Sequence, residues 1–260
     1  MKKYFISVIT LFVIGLVAPV QAEDFGITGE ELARRVYDRN DGSDAAGRMQ
    51  MSLVSSSGKE TVREMEVFIK DYEKRQKRLV RFLSPASIKG TGLLSSELES
   101  GETEQFLYLP ALRRVRRVAG EQKDRNFANS DFTYEDLEGR RDVELDTHRV
   151  VGREKLLGYN CLKLESVPRD SSKSEYSKRI TWVMGDTYLI LRTDFYNKKG
   201  EPSKRLNVER IEEIQNIWTH RLSVMTDLQS NHQTKLKLLD ISYDTGVDDG
   251  IFSKRYLEKQ

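Results

Sequence analysis

The chain has 260 residues, 43 of them basic and 41 acidic, and the first 22 carry Lys2, Lys3 and no acid. Setting those 22 aside leaves 238 residues with 41 charges of each sign, a formally neutral protein. Neutrality excludes the net positive field that draws a protein to nucleic acid. A single cysteine, Cys161, excludes an internal disulfide and reads as a small buried apolar residue.

Residues 1–22 have the pattern of a secretory signal peptide. Two lysines precede a short apolar run, "YFISVITLFVIGLVAP", and small residues follow at Val20 and Ala22. Cleavage after Ala22 is expected, and no cysteine near that site offers a lipid anchor. The exported product, residues 23–260, contains no linker or repeat and is expected to be one periplasmic domain.

Thr28 followed by Glu31 forms a capping box, and the apolar stripe of Leu32, Ala33, Val36 and Tyr37 predicts a helix ending before Asn40. The period then changes to two. Met49, Met51 and Leu53, a turn at "SSSGK", and Met65, Val67 and Ile69 predict a hairpin. Further strands are expected in "KRLVRFLSP", "EQFLYLP", "YNCLKLESVP", "KRITWVMGDTYLILRTDFYNKKGE", "RLSVMTDL" and "TKLKLLDISYD", with turns at Gly185-Asp186 and Asn197–Gly200. Many strands with short turns predict a mostly β (α+β) antiparallel protein, either a sandwich or a curled barrel. Several strands are apolar on both faces: Phe106 and Tyr108 oppose Leu107 and Leu109. Such strands fit a curved sheet with a lined hollow, or a sheet covered on its second face.

Catalytic patterns are scarce. None of the three histidines stands at metal-ligand spacing, and no nucleophile elbow or phosphate loop is present. The acids of "SDFTYEDLEGRRD" (Asp131, Glu135, Asp136 and Glu138) could serve a hydrolase, but acids beside many arginines more often form ion pairs. The chain is therefore read as a non-enzyme without cofactor or metal. The stretch "YLPALRRVRRVAG" places Arg113, Arg114, Arg116 and Arg117 within five positions. In a strand, Arg114 and Arg116 share one face and Arg113 and Arg117 the other. These arginines are expected to pair with Asp131, Glu135 and Asp136 in the sheet wall or to meet an anionic head group at its mouth. Alternatively, they are solvated on an edge strand.

"LSPASIKGTGLL" (Leu83–Leu94), "FLYLPALRRVRRV" (Phe106–Val118) and "FANSDFTYEDL" (Phe127–Leu137) occur in that order, and the chain ends in "DDGIFSKRYLEK". Together they resemble the LolA-like family of periplasmic outer-membrane lipoprotein-sorting proteins, in an uncharacterised branch. The resemblance implies an incomplete, strongly curved antiparallel β-barrel with helices covering an apolar cavity. It also implies a carrier of lipid or lipoprotein acyl chains toward an outer-membrane acceptor, with transient membrane contact. An accessory subunit docking on an RND-type exporter is the alternative. Met51, Met65, Phe82, Phe106, Tyr108, Phe132 and Trp182 are the expected cavity lining.

Overall fold

The computed structural model describes residues 25–73 and 75–259. The signal segment and its cleavage site lie outside the described residues. Thirteen strands form one antiparallel sheet: β1 (Asp44–Val54), β2 (Glu60–Tyr72), β3 (Arg75–Ser84), β4 (Gly92–Glu97), β5 (Thr103–Leu109), β6 (Arg114–Arg117), β7 (Asp146–Leu156), β8 (Tyr159–Pro168), β9 (Lys178–Met184), β10 (Ile190–Tyr196), β11 (Pro202–Ile214), β12 (Ile217–Asp227) and β13 (Gln233–Tyr243). Their order is β6-β5-β4-β3-β2-β1-β13-β12-β11-β10-β9-β8-β7, so β1 pairs with the last strand and the sheet is open between β6 and β7.

The sheet is coiled. Met51, Met65, Phe82 and Leu107 from β1–β5 form one cluster, and Phe195 and Met225 from β10 and β12 form another. Both clusters take in Leu137 and Leu236, so strands far apart in the order face one another. Lys173, beyond β8, reaches Glu102 in the β4–β5 turn at 2.6 Å.

Helix α1 (Gly29–Tyr37) begins at the predicted cap, with Thr28 Oγ1 accepting from the Glu31 amide at 3.1 Å. Its buried Leu32 and Ala33 pack with Val150, Leu164 and Val183. Gly29 permits this approach, because a Cβ there would lie 2.3 Å from the His148 carbonyl oxygen.

The expected helical cover over an empty hollow is not what fills the β1–β5 half. The connection from Val118 to Leu145 enters it with isolated 3-10 turns. Phe127 stacks on Phe82 with ring centroids 5.6 Å apart and meets Tyr134 edge-on at 5.8 Å. Met51, Met65 and Phe82 are consequently close-packed core.

The other face of β3–β5 is covered by the end of the chain. Val247, Phe252 and Leu257, the last in the short helix α2 (Lys254–Leu257), pack on Leu79, Leu94, Phe106 and Tyr108. Phe106 and Tyr108 therefore do not line the concave side, because alternate residues of β5 point to opposite faces. Trp182 is likewise on the outer face of β9. Its Nε1 donates to Glu154 at 2.8 Å, and Arg192 and Lys163 lie over its ring at 4.2 and 4.9 Å.

Candidate binding cleft

On the concave side of β8–β12, bounded by α1 and residues 132–148, lies a cleft of about 470 Å³. Its floor is apolar, formed by Phe132, Leu164, Leu189, Phe195, Leu206 and Met225. Its rim is charged, with Arg39, Arg78, Arg140, Arg141 and Arg179 set among Asp41, Glu135, Asp136 and Asp146. The volume is that of a small-molecule site. Phe132 is the one predicted lining residue on this floor. A second hollow, of about 500 Å³, opens beside Ile88, Leu109 and Pro110 behind Phe127.

The predicted acids are held by a local device. Thr133 N donates to Asp136 at 2.8 Å, and Asp136 N donates to Thr133 Oγ1 at 3.2 Å, a reciprocal cap on one turn. That turn buries Glu135, which accepts from Arg179, from Ser174 Oγ at 2.6 Å and from the Glu175 amide at 2.7 Å. Arg179 also lies 3.8 Å from Asp146, which Arg141 holds in a fork at 2.9–3.0 Å. Burial is the largest single influence on Arg141 and lowers its pKa, but the hydrogen bond to Asp146 and the negative charges of Asp146, Glu135 and Glu138 together outweigh it and raise the pKa. Asp136 accepts from the Tyr176 hydroxyl at 2.7 Å and pairs with Lys204 at 3.4 Å. Burial and Asp136 push the Tyr176 hydroxyl well above its ordinary range. Asp131 accepts from Thr234 Oγ1 at 2.6 Å and sits 2.8 Å from His232 Nδ1.

None of these three acids meets the arginine run, which corrects the pairing expected for Arg114 and Arg116. Pro110 starts a 3-10 turn, Arg113 takes a left-handed φ of 46°, and Arg114–Arg117 form the edge strand β6. All four arginines are exposed; Arg117 pairs with Glu104 at 3.1 Å and Arg116 reaches the Tyr134 hydroxyl.

The arginines that line the cleft were not anticipated. Arg78 stands on β3 in phase with the inward Val80 and Phe82, a periodicity that could have marked it. Burial lowers the pKa of Arg39 and of Arg78. His220 donates Nε2–H to the Ile190 carbonyl at 2.7 Å, and burial pushes its imidazole down to about 4. Buried Cys161 has its thiol pushed up by burial. Among the described residues, no group of three or more His, Cys, Asp or Glu could hold a metal ion, and no helix is long and apolar enough to cross a membrane.

A family model described only as "uncharacterized protein" matches residues 74–259, more than half the chain. A DUF1329 family protein from Desulfovibrio piger is 30% identical, with a TM-score of 0.83 over 88% of this chain and 97% of its own. The chain belongs to the DUF1329 family. This member is also 30% identical to a domain from Vibrio parahaemolyticus described as an outer membrane lipoprotein-sorting protein, with a TM-score of 0.83 over 89% and 98% of the two chains. The fold extends to a LolA superfamily protein from Nitrosomonas europaea, 18% identical, with a TM-score of 0.70 over 88% and 99%. No curated protein matches this DUF1329 sequence.

Proposed function

We propose that this DUF1329 protein is a periplasmic carrier that binds lipid or lipoprotein acyl chains for transfer toward the outer membrane. The observation that carries the reading is the apolar floor of the cleft, on the concave side of a coiled, open sheet. The likeness to the V. parahaemolyticus domain supports it. The leader pattern of residues 1–22 supports export with cleavage after Ala22, and the one continuous thirteen-stranded sheet supports a single domain over 23–260. Each CH₂ removed from water contributes about 0.8 kcal/mol without any directional bond, so such a floor accepts chains of varied length. Asp131, Glu135 and Asp136 act as ion-pair anchors in this reading, and no catalytic step is assigned to them. The test is mass spectrometry of organic extracts from protein purified from its own periplasm without detergent. A stoichiometric acyl compound is expected; protein that is empty and takes up no added lipid would refute the carrier.

A second reading rests on one observation: Arg113, Arg114, Arg116 and Arg117 stand exposed at an open sheet edge. There they would dock the protein on an acidic surface of an RND-type exporter. Reversing the charge at Arg113 and Arg117 is then expected to abolish co-purification with the exporter while lipid binding stays intact. Unchanged co-purification would refute docking through this edge.

A further inference from the structure

We infer that Arg39, Arg78 and Arg140 form a head-group site, so that the cleft selects acyl amphiphiles with an anionic phosphate or carboxylate head. This rests on the cleft being an acyl site, and it adds the chemical class of the ligand.

Three guanidiniums share the cleft rim, yet their partners are mostly neutral. Arg39 donates to the backbone carbonyls of Asn40 and Trp218 at 3.2 and 3.3 Å. Arg78 donates to the Gln76 side-chain oxygen at 3.3 Å. Only Arg140 meets carboxylates, Asp71 at 3.0 Å and Asp41 at 3.8 Å. Asp71 is shared with the Gln76 amide, and nearby Glu97 is occupied by the Tyr37 hydroxyl and the Gln76 N–H. Asp41 is thus left as the main charge facing both Arg39 and Arg78. Arg140 repels both other guanidiniums, lowering their pKa values further.

The Nε atoms of Arg78 and Arg140 are buried and have no hydrogen-bond partner. Buried donors are normally satisfied, so Arg78 and Arg140 keep unfilled hydrogen-bonding capacity beside the cleft. An anionic head would supply acceptors and relieve the repulsion. The site adjoins the apolar floor: Arg39 is tied to β12 at Trp218, and His220, two residues on, bonds to Ile190 beside floor residue Leu189.

The test is calorimetry on the full exported chain with four probes, the two lipids kept below the concentrations at which they aggregate. These are palmitoyl lysophosphatidylglycerol, the neutral monopalmitoylglycerol, glycerol phosphate and inorganic phosphate. The lysophospholipid is expected to bind at least about tenfold tighter than the neutral lipid, as befits hydrogen bonds to a charged group. Arg39→Gln and Arg78→Gln should each bring the ratio of the two lipid affinities to within about twofold of one, whatever either does to lipid binding as a whole. The wild-type comparison decides the case if either variant fails to fold. Equal binding of both lipids would overturn the head-group site and leave the acyl cleft standing. Phosphate binding as tightly as the lysophospholipid would make this a free-anion site and overturn the amphiphile. Binding of neither lipid would remove the acyl reading itself.

Discussion

Glu135→Gln keeps the shape of a buried side chain and removes its charge. The Glu135 and Arg179 side chains are 4% and 13% exposed, so water does little to screen the pair. Breaking a buried pair by removing one partner typically costs about 3–5 kcal/mol, because the other charge stays buried. Here Arg179 retains Asp146 at 3.8 Å and Ser174 Oγ at 3.2 Å, so the lower end of about 3 kcal/mol is expected. At about 2–4 °C per kcal/mol for a domain of this size, the melting temperature should fall by about 6–12 °C. Thermal melts and urea titrations followed by tryptophan fluorescence would measure it, with Trp182 and Trp218 as reporters. Glu135→Leu combined with Arg179→Met should recover much of the loss, since apolar pairs of similar volume often replace buried ion pairs at no cost. A single-variant loss below about 0.5 kcal/mol would mean that the pair is solvated, and the account of Glu135 as an anchor would be wrong.

Phe127→Ala should cost about 3–5 kcal/mol in the same melts, because Phe127 is fully buried between Phe82 and Tyr134. Gly29→Ala should destabilise by about 1–3 kcal/mol, since the new Cβ meets the His148 carbonyl; a gain would show that helix propensity dominates at this site. His220 is held neutral by burial, and its folded pKa of about 4 lies below the ordinary 6.5. The unfolded chain therefore binds the proton first as acid is added. This contribution is complete above pH 6.5 and is lost toward pH 4, at up to about 1.4 kcal/mol per pH unit, and His220→Gln should flatten that slope in pH-dependent melts.

What could be read from the sequence was local. The Thr28 cap, the β1–β2 hairpin and the turn at Gly185-Asp186 depend on neighbours within a few residues, and each appears in the structure. Which face of a strand looks inward depends on distant cover. β5 is apolar on both faces, and only the packing of Phe252 and Leu257 shows that Phe106 and Tyr108 face out. The arginine run drew attention because it is contiguous, yet contiguity at an edge strand leaves side chains in water. The cleft arginines come from positions 39, 78, 140, 141 and 179, and the coiling of the sheet brings them to one rim. The acids of Thr133–Asp136 were noticed as charges, while their reciprocal cap was the signal for the turn that buries Glu135.

The pairing of β1 with β13 sets the order in which the molecule can be assembled. Ala45 stands opposite Tyr243, so the seam in the middle of the sheet joins residues 198 positions apart (243 minus 45). Such long-range pairing makes folding slow. A chain that emerges N-terminus first into the compartment where it folds exposes the free edge of β1 until β13 has emerged. Throughout that interval β1 is a template for a strand from another copy, and prompt arrival of β13 protects against that exchange.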